Sequence, residues 1–430
     1  MGGFVMKCKM KKLLAIATMA AILCTSSFGC GKEQEVKTNA PKQKTVVRVM
    51  SWWNFQDSKP LKELKSKFES ANPDYELQFD QIATKYADKV LTVVAGGGDQ
   101  VPDVMMLAMD VVPRFAKAGA IQPLDKYITD SYKKDLYPVV LDALQFDGKI
   151  YAAPRDITSF VMYCNKKMFE DAKVPIPKAG WTWNDFLETA KKLTKLENGK
   201  PVQWGYHFSK TNDSIFTWLI QNGAGYTTSN KKQSILSSQE SQEAIQFLYD
   251  LTYKHKVSPT ITEAKQFGTD DSAAFLAGKV AMQIGGLSTS VAFDKAGINY
   301  VKVPLPIGKK QATTAFVNSW TIPKGAKNPD ASWKVIEFLS SKEGQQIALS
   351  TKMGLPASKS VDISEFIKER EDNKHLIDAL EYSIPFTTLS NGAEYYDLVN
   401  KSLEKIWFNQ AKIDEVTKSI DSQGNTMLNK

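Results

Sequence analysis

Histidine and cysteine are scarce in this sequence. Among 430 residues there are three histidines, His207, His255 and His375, which lie far apart in unrelated contexts. The chain contains no His-Glu-x-x-His, no Gly-x-Ser-x-Gly and no paired-cysteine metal pattern. Neighbouring carboxylates such as Asp270 and Asp271 fit a helix surface better than an acid–base pair. We therefore expect no catalytic residue, no cofactor and no metal.

The four cysteines exclude a disulfide framework in the folded part. Cys8 and Cys24 belong to an N-terminal apolar segment, Cys30 follows it, and Cys164 lies in an apolar stretch further along. If the first three are removed or modified on export, one thiol remains, and we expect it to be buried and unreactive. The stability of the fold must then come from its hydrophobic core.

The first thirty residues have the pattern of an export signal. Lysines at Lys7–Lys12 precede an apolar core, Leu13–Cys24, that is too short to span a bilayer comfortably. The following Ser27-Phe28-Gly29-Cys30 resembles a bacterial lipobox. We expect Cys30 to be lipidated and to hold the protein at the outer face of the cytoplasmic membrane. An ordinary cleaved signal peptide is the alternative.

Net charge gives no reason to expect a nucleic-acid partner. The formal charge is +8, from 55 basic and 47 acidic side chains. Four of the lysines lie in the first thirty residues, which hold no acid, so 51 basic against 47 acidic side chains remain, or +4. These lysines are spread along the chain, as expected of solvated helix faces.

Strand and helix patterns alternate between residues 46 and 153. Apolar strand patterns such as Val46–Ser51 and Pro102–Met106 are separated by helical ones. The alternation predicts a largely parallel sheet flanked by helices, with ligands beyond the carboxyl ends of the strands. Such ends are followed by Trp52, Trp53, Asp110 and Arg155.

Several motifs occur in the order found in one protein family. The stretch Phe146–Phe169 holds D-G-K-x-Y-x-x-P, in which Asp147 and Gly148 predict a tight turn, and then M-Y-C-N-K-K-M-F. The other matching motifs are G-x-x-x-P-D-V at Gly98–Val104, A-G-x-I-x-P-L-D at Ala118–Asp125, W-T-W-N-D-F at Trp181–Phe186, F-x-x-G-K-x-A-M at Phe275–Met282 and G-L-P at Gly354–Pro356. From residue 45 onward the chain therefore resembles the sugar-binding, maltodextrin-binding-like family of bacterial extracellular solute-binding proteins.

The resemblance implies an α/β fold of two lobes, each a mostly parallel sheet flanked by helices, with three hinge crossings. The N-terminal pattern described above gives a signal segment at 1–30, and the polar residues 31–44 are expected to form a flexible tether. The first lobe would comprise 45–154 and 316–382, and the second 155–315 and 383–430. Such a hinge closes the lobes on a ligand.

The resemblance also selects candidate ligand-binding residues. A sugar presents apolar C–H faces and polar hydroxyls, so its pocket needs aromatic rings beside carboxylates, amides and arginine. Structural roles remain open as well, since either tryptophan after the first strand could be core, Asp110 could cap a helix, and Arg155 and Asp156 could pair at the hinge. The candidates are Trp52, Trp53, Tyr86, Asp110, Arg155, Asp156, Gly285, Gly286, Trp320 and Phe386.

The function implied is that of the substrate-binding component of an ATP-driven carbohydrate importer. Nine tryptophans and fifteen tyrosines favour an oligosaccharide as the ligand. The expected partners are this carbohydrate, the transmembrane permease subunits and, through the lipid, the membrane; the protein itself is expected to be a monomer. The alternatives are a binding protein for another solute, such as a polyamine, an iron complex or a phosphodiester, and a cell-surface glycan-active enzyme.

Overall fold

The computed structural model describes residues 43–55, 58–352 and 354–429. The predicted signal segment, the lipidation site Cys30 and most of the tether lie outside these residues. The strands are β1 (Thr45–Ser51), β2 (Tyr75–Gln81), β3 (Val104–Ala108), β4 (Gln145–Phe146), β5 (Lys149–Ile150), β6 (Ala153–Ser159), β7 (Val161–Asn165), β8 (Lys195–Glu197), β9 (Lys200–Gln203), β10 (Met282–Gly285), β11 (Tyr300–Val303), β12 (Thr313–Thr321) and β13 (Ser383–Pro385).

Helices occupy much of the remaining chain. They are α1 (Lys59–Ala71), α2 (Tyr86–Gly96), α3 (Val112–Lys117), α4 (Asp130–Asp135), α5 (Pro138–Leu144), α6 (Lys166–Asp171), α7 (Trp183–Leu193), α8 (Asn212–Gln221), α9 (Gln239–Tyr253), α10 (Ile261–Lys265), α11 (Ala273–Leu276), α12 (Leu287–Lys295), α13 (Pro329–Leu339), α14 (Lys342–Leu349), α15 (Ser364–Glu369), α16 (Lys374–Asp378), α17 (Gly392–Trp407) and α18 (Ile413–Leu428). Short 3₁₀ helices lie at Gly98–Gln100, Glu371–Asn373 and Ala379–Tyr382.

The first sheet organises one lobe. Its strands follow the order β13-β12-β3-β1-β2, with β6 paired to β12. Strand β1 is parallel to β2 and β3, and β13 is parallel to β12, whereas β12 is antiparallel to β3 and β6. Helix α1 packs against this layer because Leu61, Leu64 and Phe68 recur at helical spacing and are all buried.

The second sheet organises the other lobe and corrects one expectation. Its order is β10-β7-β11, and β7 is antiparallel to both neighbours, so these strands do not form the mostly parallel sheet that the resemblance implied. Strands β7 and β11 are antiparallel because the chain enters this lobe along β7, directly after β6, and returns along β11 toward β12. Parallel pairing occurs beside the sheet as isolated bridges, Trp204 with Val280 and His207 with Gln283.

The first hinge strand contains a proline. Strand β6 runs from Ala153 to Ser159 and includes Pro154, the last residue of the D-G-K-x-Y-x-x-P motif. Asp156 pairs with Asn318, and Pro154 with Ser319, so Arg155 is the extra residue of a β-bulge. A proline is tolerated at such a point because a bulge interrupts the ladder that would need its missing N–H.

The thiol of Cys164 lies in the middle of β7. It is free and 0% exposed, and burial raises its pKa above the ordinary value for a thiol. Both properties make it a poor nucleophile, as expected from the sequence.

Candidate functional site

The larger of two adjoining cavities has a volume of about 730 Å³. It lies between the chain that follows β3, the start of α8, strand β12 and helix α17, and we call it the aromatic chamber. Its lining includes Asp110, Val111, Arg114, Thr211, Asp213, Phe316, Phe386, Tyr396, Asn400, Glu404 and Trp407.

Aromatic rings form one wall of the aromatic chamber. Phe386 stacks on Phe316 with ring centroids 5.0 Å apart, and Tyr396 lies 5.0 Å from Phe386 on another side. Phe216 meets Phe386 edge-on at 5.3 Å and holds it in place. Phe386 is only 5% exposed, whereas Phe316 and Tyr396 are half-buried and offer more of their ring surface to an occupant.

Charged side chains lie at the rim of the same chamber. Asp110 is exposed, and desolvation by the surrounding protein nevertheless raises the pKa of its carboxyl group. It does not cap the following helix, since Val111 holds the N-cap position of α3 and makes no side-chain cap bond. Nearby, Nη1 of Arg114 lies 3.0 Å from Oδ1 of Asp88. Asp110 is therefore available to accept hydrogen bonds from a ligand.

A second cavity of about 320 Å³ adjoins the first, and we call it the polar chamber. Thr211, Asp213 and Phe316 line both cavities, which makes them parts of one cleft. Hydroxyl, amide, imidazole and carboxylate groups dominate the lining. The lining includes Thr158, Tyr206, His207, Ser209, Ser214, Thr217, Asp271, Gln283, Gly285, Gly286, Ser288 and Thr289.

Gly285 and Gly286 lie at the wall of the polar chamber, but packing explains why they are glycines. A Cβ at Gly285 would come within 2.5 Å of Oγ1 of Thr289. A Cβ at Gly286 would come within 2.7 Å of Cγ2 of Thr158, and the carbonyl of Gly286 already accepts a 2.6 Å bond from the Tyr163 hydroxyl. Both positions therefore need glycine before any ligand is considered.

The imidazole of His207 is the most unusual group in the polar chamber. It is 6% exposed, and its Nε2 lies 3.9 Å from Oδ1 of Asp271, too far for a hydrogen bond. Burial lowers the pKa of His207, so the ring is neutral at pH 7. The isolated parallel β-bridge between His207 and Gln283 places the side chains of these two residues next to each other.

Trp53, Arg155 and Asp156 form a separate cluster at the hinge. The guanidinium carbon of Arg155 lies 3.2 Å from the centroid of the Trp53 ring, and Arg155 forms an ion pair with Asp156. Nδ2 of Asn318 donates a 2.9 Å bond to Asp156. Arg155 and Asp156 are 3% and 2% exposed and line neither chamber, so they form the internal hinge pair that the sequence left open as an alternative to ligand contact.

The remaining aromatic candidates pack within the first lobe. Trp320 is 2% exposed and belongs to a hydrophobic cluster, where its ring centroid lies 6.5 Å from that of Phe55. This position corrects the expectation that Trp320 lines the cleft. The Tyr86 hydroxyl donates a 2.7 Å bond to the carbonyl of Met50, so it is already used. Trp52 is half-buried and contacts Tyr86 edge-on at 5.2 Å.

Comparison with known proteins identifies the family. A family model described as "Bacterial extracellular solute-binding protein" matches residues 52–346. The chain belongs to this family. The sequence-based assignment to a family of binding proteins is therefore confirmed, and export from the cytoplasm agrees with the extracellular role of this family.

Relatives and solved structures extend the match over most of the chain. The maltooligosaccharide ABC transporter solute-binding lipoprotein of Streptococcus pneumoniae is 29% identical over 269 residues, 60% of this chain and 60% of that protein. The galactooligosaccharide-binding protein of Bacillus subtilis is 21% identical over 418 residues, 93% of each chain. An ABC substrate-binding protein of Listeria monocytogenes, solved in complex with cycloalternan, superimposes with a TM-score of 0.79 at 24% identity, covering 90% of this chain and 100% of that one. The two-lobed α/β fold is thus confirmed.

Two further observations concern the described residues alone. No helix in 43–55, 58–352 or 354–429 is both long and apolar enough to cross a bilayer. Within the same ranges, no three histidine, cysteine, aspartate or glutamate side chains cluster as metal ligands.

Sequence reasoning missed much of the polar chamber and three of the four aromatic residues that line the aromatic chamber, Phe316, Tyr396 and Trp407. Of the predicted residues, Asp110 and Phe386 line the aromatic chamber and Gly285 and Gly286 line the polar one. The missed lining residues include Tyr206, His207, Ser214, Asp271, Gln283 and Phe316. A usable signal existed for one of them, because Gln283 is a polar residue inside an apolar strand, directly after the F-x-x-G-K-x-A-M motif.

Proposed function

We propose that this protein captures a neutral oligosaccharide in the cleft between its lobes and delivers it to the permease of an ATP-driven importer. The observation that carries the proposal is the joining of the aromatic chamber to the polar chamber through Thr211, Asp213 and Phe316. A sugar chain needs both surfaces, apolar rings for its C–H faces and polar groups for its hydroxyls.

The size of the cleft supports an oligosaccharide over a monosaccharide. Small-molecule sites usually have volumes of about 300–1,000 Å³. The polar chamber alone, at about 320 Å³, falls at the low end of that range, and the aromatic chamber adds about 730 Å³. Relatives whose names state maltooligosaccharide or galactooligosaccharide ligands support the same substrate class.

The surrounding organisation belongs to the same proposal. The first lobe comprises 45–154 and 316–382, and the second 155–315 and 383–430. Residues 1–30 direct export, and lipid on Cys30 holds a monomer at the outer face of the cytoplasmic membrane through the tether 31–44. A lipoprotein among the relatives supports the anchor. The ligand-loaded protein then docks on the transmembrane permease subunits, and no sugar bond is cleaved.

Calorimetric titration of the purified protein tests the proposal. The probes are maltotriose, mannotriose and a galactooligosaccharide, which are ligands named for family relatives and structural neighbours, with spermidine as a non-sugar solute. We expect at least one saccharide to bind, spermidine not to bind, and chromatography of the incubated sugar to show no product. Binding of spermidine with no sugar bound, or cleavage of the sugar, would contradict the proposal.

A further inference from the structure

The polar chamber gathers buried polar atoms that have no hydrogen-bond partner. The atoms are the Tyr206 hydroxyl, both ring nitrogens of His207, Oγ of Ser214 and Oε1 of Gln283, and none finds a partner among the described residues. The four residues are 0%, 6%, 5% and 4% exposed, respectively. Buried polar groups in folded proteins are nearly always hydrogen-bonded. A group of unpaired atoms around one cavity therefore indicates that the occupant of the cavity supplies their partners.

The unpaired atoms include both donors and acceptors. The Tyr206 and Ser214 hydroxyls can donate or accept, and the neutral His207 ring carries one donor and one acceptor. Nε2 of Gln283 already donates a 3.0 Å bond to Ser272, which leaves its oxygen as an acceptor. Sugar hydroxyls, which both donate and accept, match this set, whereas an ionised phosphodiester or carboxylate could only accept.

Charge around the polar chamber also disfavours an anionic occupant. The carboxylates of Asp213 and Asp271 line it. The nearby ammonium of Lys210 is held by two backbone carbonyls, donating to those of Phe208 at 2.8 Å and Pro259 at 3.3 Å. An anion would meet two negative groups, and the neighbouring cation already has acceptors.

We propose that the polar chamber is a one-ring subsite in which Tyr206, His207, Ser214 and Gln283 determine which neutral sugar ring the protein accepts. This inference rests on the proposed function and adds the residues that select the ligand. The next ring of the sugar lies against Phe316, which faces both chambers. A sugar that lacks a matching hydroxyl leaves a buried group unpaired, and we expect it to bind roughly 10- to 100-fold more weakly.

Two conservative variants test the subsite, Tyr206→Phe and Ser214→Ala. Each removes one buried hydroxyl that makes no well-aligned hydrogen bond within the described residues, and the side chain otherwise keeps its shape. The matched control is Tyr132→Phe, since the Tyr132 hydroxyl is also buried and unpaired but lies beside Trp333 in the first lobe. Titrations use maltotriose, mannotriose and the galactooligosaccharide, with trigalacturonate as an anionic counterpart.

We expect both chamber variants to bind the accepted saccharide roughly 5- to 50-fold more weakly at unchanged melting temperature, and Tyr132→Phe to bind as the wild type does. Trigalacturonate should bind more weakly than any accepted neutral sugar. Wild-type affinity in both chamber variants, or tighter binding of trigalacturonate, would overturn the inference alone. A wild-type protein that binds none of the saccharides would overturn the proposed function and, with it, this subsite.

Discussion

The rings of Phe316 and Phe386 stack with their planes 22° from parallel. Phe316 comes from β12 and Phe386 follows β13, so two different hinge crossings build one wall of the aromatic chamber. Their roles differ, because Phe386 is also enclosed by Phe216 and Tyr226 while Phe316 remains half-buried. We therefore expect a ligand to contact Phe316 more directly than Phe386.

Replacing Phe316 with alanine should weaken sugar binding. Loss of ring stacking is expected to reduce the binding free energy by about 1–3 kcal/mol, or roughly 5- to 150-fold in affinity, by analogy with bases stacked on aromatic side chains. Calorimetric titration measures it. The control is Phe146→Ala, since Phe146 is also half-buried but lies in the β4–β5 hairpin. Equal losses of affinity in Phe316→Ala and Phe146→Ala would show that the effect on binding is not local to the aromatic chamber.

Replacing Trp320 with alanine should affect stability and leave binding intact. Its side chain is 2% exposed in the core of the first lobe, so truncation should lower the free energy of unfolding by about 3–5 kcal/mol. Chemical denaturation measures the loss, and titration of the folded variant should give the wild-type affinity. Weakened binding at wild-type stability would restore Trp320 as a binding residue.

The acid sensitivity of the fold should depend on Asp372. Burial alone would raise the pKa of its carboxyl group, but hydrogen bonds from Arg370 and the Lys302 backbone, with the Lys302 charge, outweigh burial and lower it. An acid with a lowered folded pKa stabilises the fold above its unfolded pKa, and this stabilisation is lost as the pH falls through the folded pKa. The loss therefore begins below about pH 4.

The variant Asp372→Asn tests this assignment. It leaves the 0%-exposed Lys302 without its carboxylate, so we expect a loss of about 3–5 kcal/mol near pH 7 that shrinks as the pH falls below about 4. Denaturation curves across pH 2–7 measure it. Asp414→Asn, which removes an exposed partner of Lys418, should change nothing measurable. If the difference in the free energy of unfolding between Asp372→Asn and wild type did not change with pH, Asp372 would not be the source of the acid sensitivity.

Removal of the Cys30 thiol should release the protein from membranes. Without that thiol no lipid can be attached, so the protein expressed in a bacterium that processes lipoproteins should move to the soluble fraction. Cell fractionation with immunoblotting measures the distribution. Cys164→Ala is the control, because that thiol is buried in β7 and should not affect anchoring. Retention of Cys30→Ala in the membrane fraction would refute the lipobox.

Ligand binding should bring the lobes together. A sugar that contacts both lobes binds the closed form more tightly and shifts the population toward it. Small-angle X-ray scattering should then show a smaller radius of gyration with the accepted saccharide than with spermidine. An unchanged radius at saturating sugar would contradict a closing hinge.

Local sequence signals predicted local structure well. Asp147 and Gly148 form the expected turn, with φ angles of 48° and 75°, because the residues between β4 and β5 must adopt positive φ. Thr182 caps α7 in a capping box with Asp185, and the Thr-x-x-Asp spacing within the W-T-W-N-D-F motif is a local signal for such a cap. Features of this kind depend on only a few consecutive residues, so the sequence alone is enough to predict them.

Long-range relationships were harder to predict. Strand alternation does not tell which face of β12 meets the core, and Trp320 proved to point inward. The partners in the polar chamber, such as His207 and Gln283, are 76 residues apart and meet through a single bridge. Pattern reasoning finds periodic neighbours, whereas this pair depends on tertiary packing.

The pairing of β6 with β12 has a consequence for how the molecule can bend. Two hydrogen-bonded strands resist sliding along their length, because sliding would break the ladder between Ala315 and Ser159 and its neighbours. The bulge at Arg155 interrupts that ladder and sets its most compliant point. We therefore expect the two lobes to rotate about an axis near this bulge more readily than they slide along the strands. A change that removed the bulge would alter the axis of that rotation while leaving each half intact.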